Sequence, residues 1–374
     1  MTGDDRAARA ALSRLAEPGD EWLGRAVAGL GAAEVLDRVR APRRGEDARM
    51  ASYRVRLPAL DSDLDLAVRA GARVVVPADD EWPAGLDDLG DRAPIALWVA
   101  GHGHLADVTR RAVAVVGARA CTPYGEHVAG DLSAGLGDRG WSVVSGGAYG
   151  IDAAAHRGAL AVDGPTVAVL ACGVDIPYPA AHDGLLRSIR AAGVVVSELP
   201  PGSRPTRRRF LDRNRVIAAL GRGTVVVEAA IRSGALNTAG HAVELSRPVM
   251  AVPGPVTSAA SAGCHELVRS RDAALVTDAA DVLDLVGDLL TDARDPRRAA
   301  GSRPHDGLDP VTLRVLEALP IRRRAGADSV GRVAGLDAPT VLRALGSLAA
   351  LGLADARDGR WRRAATAPAG EEAG

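Results

Sequence analysis

The chain contains no lysine, so its basic side chains are all arginines apart from eight histidines. Aromatic residues are almost as scarce, with a single phenylalanine, Phe210. Cysteine occurs three times, at Cys121, Cys172 and Cys264, far apart and never as C-x-x-C. An odd, scattered set of this kind excludes a disulfide framework and a zinc site, and the three are expected as small buried hydrophobes. No apolar run approaches the length needed to cross a bilayer, and the opening MTGDDRAARA is acidic without an apolar core segment. The expectation is a cytoplasmic protein with no membrane contact. The formal net charge of −1 excludes a polycation, so any nucleic-acid site must arise from local clustering.

Such a cluster is present. Residues 204–215 read RPTRRRFLDRNR, in which Arg204, Arg207, Arg208, Arg209, Arg213 and Arg215 surround Phe210 and Asp212 is the only acid. Guanidinium groups around one flat ring are what a protein uses to neutralise phosphates while stacking a base, which points to single-stranded nucleic acid. The alternative is a solvated arginine surface with Phe210 in the core, and exposure of the ring decides between them. A second basic group occupies the tail: Arg297, Arg298, Arg303, Arg322, Arg323, Arg324, Arg357, Arg360, Arg362 and Arg363.

The 374 residues leave room for two or three domains. Residues 6–40 carry small apolar residues at helical spacing, broken at Pro18 and Gly19, and a charged linker lies near 42–47. Residues 71–86 and 93–101 each read as a short strand. From Ala112, runs of β-branched residues alternate with glycine turns and helix-length segments: AVAVVG, WSVVSG, TVAVLACG, VVVSEL, TVVVEA, PVMAVPG and AALVTD. Strands apolar on both faces alternating with helices predict an α/β, doubly wound, mostly parallel sheet. The expected boundaries are a helical region with linker at 1–70, the core at 71–290, a linker at 291–307, a winged-helix-like domain at 308–364 and a disordered tail at 365–374. Three helical segments and a hairpin turning at Asp358 and Gly359 define that last domain, which suits duplex DNA or a protein partner.

Ligands of such sheets sit where strand carboxyl ends meet helix N-termini. The turns expected there are Gly117-Ala118-Arg119, Ser145-Gly146-Gly147-Ala148-Tyr149-Gly150 and Arg232-Ser233-Gly234. None matches the dinucleotide or NTP-binding glycine loops, so phosphates rather than a nicotinamide are the expected target. Asp152 and His156 lie i and i+4 on one helical face; as an acid-base couple they suit catalysis, as cap and packing residue they do not. No nucleophile set is recognisable, and His102 and His104 read as a polar turn rather than metal ligands.

At these residues the chain resembles the DNA-processing protein A family, DprA, also called Smf. The shared stretches are V-V-G-A-R (115–119), Y-G (124–125), S-G-G-A-Y-G-I-D-A-A-A-H (145–156), Y-P (178–179), S-E-L-P-P-G (197–202), F-L-D-R-N-R-V-I-A-A-L (210–220), S-G-A-L-N-T-A (233–239) and V-P-G (252–254). The resemblance implies an extended Rossmann-like core that binds single-stranded DNA without cutting it, forms a homodimer and helps load the RecA recombinase in recombination or natural transformation. It also implies a helical N-terminal domain of the sterile-alpha-motif type and a winged-helix-like C-terminal one. Carried over, Arg119 is the arginine that meets phosphate, and Phe210, Arg213, Asn214 and Arg215 form the DNA pocket. Tyr149 replaces an arginine usual in the family, Asn237 an aliphatic residue and His265 an asparagine. The expected site is therefore Arg119, Gly146, Gly147, Tyr149, Arg207, Arg208, Arg209, Phe210, Arg213, Asn214, Arg215, Ser233 and Gly234, with no cofactor and no catalytic residue. Two other readings stay open: a phosphoribohydrolase-type enzyme using Glu228 or Asp152, and a duplex-binding winged-helix regulator.

Overall fold

The computed structural model describes residues 3–41, 48–57, 63–270, 273–287, 308–320, 324–357 and 359–364. The expected linkers at 42–47 and 291–307, the tail at 365–374, the turn residue Asp358 and Arg297, Arg298, Arg303, Arg322 and Arg323 lie outside the described residues. The chain divides into two compact units, Met1–Ala293 and Arg294–Gly374.

The first unit is built on a nine-stranded sheet. The valine-rich runs become β3 (Ala112–Val116), β4 (Ser142–Ser145), β5 (Thr166–Leu170), β6 (Val194–Ser197), β7 (Thr224–Val226), β8 (Val249–Ala251) and β9 (Ala274–Leu275), all parallel to one another. Every residue of β3 to β8 is buried, because helices cover both faces. The two earlier segments form β1 (Ala72–Val75) and β2 (Leu97–Ala100), which join the same sheet antiparallel through β2 and β6. The strand order β1-β2-β6-β5-β4-β3-β7-β8-β9 reverses direction between β3 and β7. That reversal is the switch point at which doubly wound sheets open a crevice. This is the doubly wound, mostly parallel sheet that the sequence predicts, in the extended Rossmann-like form that the resemblance implies.

The covering helices include α7 (Pro123–Gly137), α8 (Ile151–Ala161), α10 (Arg207–Leu220) and α11 (Gly234–Glu244). Each starts where its residues dictate. Thr122, Thr206 and Ser233 accept hydrogen bonds from backbone amides in the first turns of α7, α10 and α11, satisfying donors that the helix leaves unpaired. The N-terminal helices α1 (Gly3–Leu15), α2 (Glu21–Leu30) and α3 (Ala32–Arg40) share an apolar core of their own, with Leu12, Leu15, Leu23, Val35 and Val39 buried. They are not detached from the sheet. Trp98 in β2 donates to Ser13 Oγ at 3.2 Å, Arg6 to the Val74 carbonyl at 2.9 Å and Arg9 to the Ile95 carbonyl at 3.2 Å.

The second unit contains α14 (Pro310–Ala318), α15 (Ala327–Ala334) and α16 (Ala338–Ala350) around a small core of Val315, Val330, Val341 and Leu345. A hairpin of β11 (Ala354–Arg357) and β12 (Arg360–Arg363) follows, and β10 (Ala325–Gly326) pairs with β12.

Candidate nucleic-acid interface

The carboxyl edge of the sheet holds a cavity of about 630 Å³ at the switch point. Five successive strand-to-helix connections contribute to it: Gly117 and Arg119 after β3, Ala148 and Asp152 after β4, Tyr178 after β5, Pro205 and Thr206 after β6, and Arg232, Ser233 and Gly234 after β7. The helix α10 forms one wall. Its residues Arg207, Phe210, Leu211, Asn214 and Ile217 face the cavity at helical spacing, and Arg213 joins them deeper in.

Phe210 is half-buried and stands at the mouth. The Arg119 guanidinium carbon lies 4.7 Å from the centre of its ring, and the Tyr178 ring is 5.5 Å away at 47°. Arg119 itself is exposed. Its position depends on Gly150, whose φ of +74° favours glycine and whose missing Cβ would fall 2.3 Å from the Ala118 carbonyl oxygen. That absence lets the loops after β3 and β4 touch, and the Ile151 amide donates to the Ala118 carbonyl at 3.2 Å.

Among the ionisable lining residues the cavity carries Arg119, Arg207, Arg213 and Arg232 against one acid, Asp152. Asp152 is buried, and that burial pushes its pKa up against the opposing pull of Arg213. Arg213 is also buried; burial brings it down to about 10, so it remains a cation at neutral pH. Its Nη1 donates to the carbonyls of Gly146, at 2.9 Å, and Val169. At the open end the Ser233, Ala235 and Leu236 amides donate within the turn that leads into α11, which leaves the backbone of exposed Gly234 facing outward, and Asn214 holds that turn by donating to the Gly234 carbonyl at 3.3 Å and to Asn237 Oδ1 at 3.1 Å.

The structure thus brings together seven of the expected residues, Arg119, Arg207, Phe210, Arg213, Asn214, Ser233 and Gly234. The others stand elsewhere. Gly146 and Gly147 are buried beneath the cavity, with their carbonyls accepting from Arg213 and His182. Tyr149 is exposed beside the lining, its ring 4.8 Å from that of His182. Arg208 points to solvent, 3.6 Å from Asp212. Arg209 turns to the N-terminal helices and pairs with Glu17 at 2.8 Å. Arg215 is fully buried: it donates to the Arg92 and Asp212 carbonyls, both at 2.9 Å, and to Glu198 at 2.7 Å. A phosphate-contacting place for Arg215 is corrected, because its guanidinium has no exposure and does not reach the cavity.

Tyr178 and Arg232 line the cavity without having been singled out as site residues. A tyrosine following β5 carried the needed signal, since the loop after each parallel strand opens on the same edge. Glu228, a candidate catalytic acid, is buried with its carboxylate accepting from the Thr122 amide at 2.8 Å and hydroxyl at 2.6 Å, where it braces the residue that caps α7. The Ser145 hydroxyl is likewise occupied, donating to the Val115 carbonyl at 2.7 Å. Among the described residues no three His, Cys, Asp or Glu side chains converge as metal ligands, and no helix is long and apolar enough to cross a membrane.

A Rossmann-like sheet with a cationic, aromatic-lipped crevice defines a class of polyanion-binding α/β proteins. Comparison with known proteins narrows the class. Residues 73–287 match the profile of the family described as DNA recombination-mediator protein A, and the chain belongs to that family. A relative from Mycobacterium tuberculosis, provisionally described as a DNA processing protein DprA, is 50% identical over 362 residues, 94% of this chain and 92% of that one. The DNA processing protein DprA of Streptococcus pneumoniae is 42% identical over 55% of this chain and 71% of its own. A crystal structure of DprA from S. pneumoniae superposes with a TM-score of 0.62 at 33% identity, covering 73% of this chain and 95% of that one. DprA from Helicobacter pylori, described for its single-stranded DNA binding mode, gives 0.51 at 26% identity over 57% of this chain and 94% of that one.

Proposed function

We propose that this protein binds single-stranded DNA along the switch-point cavity without cutting it, and acts as a homodimer that passes the strand to a RecA-type recombinase. The observation that carries the reading is Phe210, half-exposed at the mouth with Arg119 4.7 Å from its ring centre. In this reading Arg119, Arg207 and Arg232 take up phosphate charge and release counterions, the Gly234 amide at the start of α11 holds a phosphate oxygen, and Phe210 with Tyr178 offers rings to a base. Arg213 supplies charge from the floor, and Asn214 positions the α11 turn. A stacked duplex keeps its bases from such a lip, which favours single strands. The single-strand binding described for the H. pylori relative and the family's recombination-mediator description support the same reading.

Against catalysis stand the engagement of Glu228 with Thr122 and of Ser145 with Val115, and Asp152 is the candidate acid that remains at the cavity. The test is fluorescence anisotropy with single-stranded and duplex oligonucleotides over a salt series. Tighter binding of single strands with a log-log slope near −2 to −3, about 0.7 for each of three or four phosphates, is the expected result. Equal affinity for both forms overturns it. Incubation with nucleoside monophosphates should release no free base; release would establish the phosphoribohydrolase reading through Asp152.

A further inference from the structure

On the other side of the α10 N-terminus lies a second groove, of about 460 Å³, between the N-terminal helices and the loop after β6. Its ionisable residues are Arg14, Arg56, Arg204 and Arg209 against one carboxylate, Glu17. Glu17 is shared, accepting from Arg209 at 2.8 Å and from Arg56 at 3.3 Å, so a net positive charge remains in the groove. Three of the four cations are held in place by neutral groups: Arg14 donates to the Pro201 carbonyl at 2.7 Å and Ser203 Oγ at 3.4 Å, Arg56 to the Leu15 carbonyl at 3.1 Å, and Arg209 to the Arg204 carbonyl at 2.8 Å. Fixed guanidinium groups lose little freedom on meeting an anion. Val55, 81% exposed, stands at the groove with Leu199 and Pro200.

The groove and the cavity are adjoining. Arg204 lines the former and the next residue, Pro205, the latter. Consecutive Cα atoms are about 3.8 Å apart, whereas successive nucleotides of a strand advance by about 3.4 Å or more. A strand leaving the cavity over this ridge arrives in the groove within about one or two nucleotides.

We propose that this groove is a second phosphate-binding subsite, formed jointly by the N-terminal helices and the core, that carries the sugar-phosphate backbone of the same single strand beyond the cavity. The proposal rests on the single-strand reading of the cavity and extends it to the N-terminal region. The occupant is nucleic acid rather than an acidic protein segment, because the groove continues the cationic track of the cavity, and exposed Val55 offers an apolar contact to a base beside it.

The test uses the full-length protein and labelled oligothymidylates of about 6 and about 20 nucleotides, the shorter sized to the cavity alone. A double variant, Arg56→Ala with Arg204→Ala, should bind the short oligomer as the wild type does. With the long oligomer it should bind several-fold more weakly, and the log-log salt slope should shrink by about 1.4, two phosphates at about 0.7 each. Neutral methylphosphonate linkages placed only in the outer nucleotides should reproduce that loss with the wild-type protein and add little to the variant. Arg204→Ala alone provides a folding-safe control, since only the carbonyl of that exposed residue is engaged by Arg209. A long-oligomer slope unchanged in both variants overturns the proposal, and is the result expected of a groove that serves an acidic protein instead. Equal loss on short and long oligomers also overturns it. Failure of the cavity reading is separate: it shows as short-oligomer binding insensitive to Phe210→Ala.

Discussion

Phe210 and Arg215 sit five residues apart on α10, and the phase of the helix gives them opposite tasks. Phe210 faces the cavity, so Phe210→Ala should cost about 1–3 kcal/mol of single-strand affinity, the value of one stacked base, with the fold unchanged. Arg215 faces inward onto Glu198. Removing it leaves the mostly buried Glu198 carboxylate with the Gly19 amide but no cation, so Arg215→Ala should lower the unfolding free energy by about 3–5 kcal/mol while leaving the salt slope of binding to the folded fraction at its wild-type value. Urea melts and anisotropy titrations separate the two, and a flattened slope with no loss of stability would return Arg215 to the binding surface. The sequence displayed the arginines and the ring but not their direction. Of Arg207, Arg208 and Arg209, one lines the cavity, one faces solvent and one reaches Glu17, an outcome fixed by where Thr206 caps the helix.

His156 makes a residue-scale prediction of another kind. The Thr166 hydroxyl donates to the Val143 carbonyl at 2.8 Å, which leaves its oxygen to accept from His156 Nδ1–H, also at 2.8 Å. Burial first, then the neighbouring His182 and Arg213, holds the imidazole pKa down at about 3. The unfolded chain regains a value near 6.5, so between those two pH values it binds a proton that the folded chain refuses. Stability therefore falls as the pH drops below 6.5, by at most about 1.4 kcal/mol per unit from this group. Asp152 works the other way, its raised pKa letting the folded chain keep a proton longer. Urea melts at pH 7 and pH 5 should show the acid loss in the wild type and a smaller one in His156→Gln; equal losses would mean that the buried ring is not the titrating group.

At the scale of elements, α7 and α8 pack on one face of the sheet with almost no space between their backbones. A Cβ on Gly158 of α8 would lie 2.2 Å from the Gly130 carbonyl oxygen of α7. Gly158→Ala should gain helix propensity and still destabilise the protein by about 1–3 kcal/mol, because the helices must separate. A urea midpoint at or above the wild-type value would show that the pair relaxes freely. The strands were legible for a reason visible in their composition: short valine-rich runs flanked by glycine turns have no competing helical reading. The seven runs from Ala112 onward match β3 to β9, and the two earlier segments supply β1 and β2. The strand order was not legible, because it depends on which helix crosses which face, and no local period encodes that. The cavity was half legible for the same reason: the turns at the sheet edge could be named, whereas the share of Tyr178 and Arg232 depends on how far apart neighbouring strands end.

At the scale of the whole molecule, the N-terminal helices have the composition of a separate small domain, yet polar contacts fasten α1 to the sheet along its length. Arg6 meets Val74, Arg9 meets Ile95, Ser13 meets Trp98 and Arg14 meets Pro201, contacts that span β1, the approach to β2, β2 itself and the loop after β6. Further along, the Gly19 amide donates to Glu198 at 3.2 Å, the same carboxylate that pairs with buried Arg215. Local opening of α1 would therefore expose the Trp98 indole and break these four contacts together, at a cost approaching that of opening the sheet edge. Hydrogen exchange followed by mass spectrometry should show the α1 amides exchanging in step with those of β1 and β2, and more slowly than a frayed terminal helix. Exchange of α1 orders of magnitude faster than β2 would show a loosely docked domain. It would also remove the rigid wall that the second groove requires, since Arg14 and Glu17 belong to this segment and a mobile segment cannot hold two guanidinium groups at a fixed spacing for a phosphate backbone.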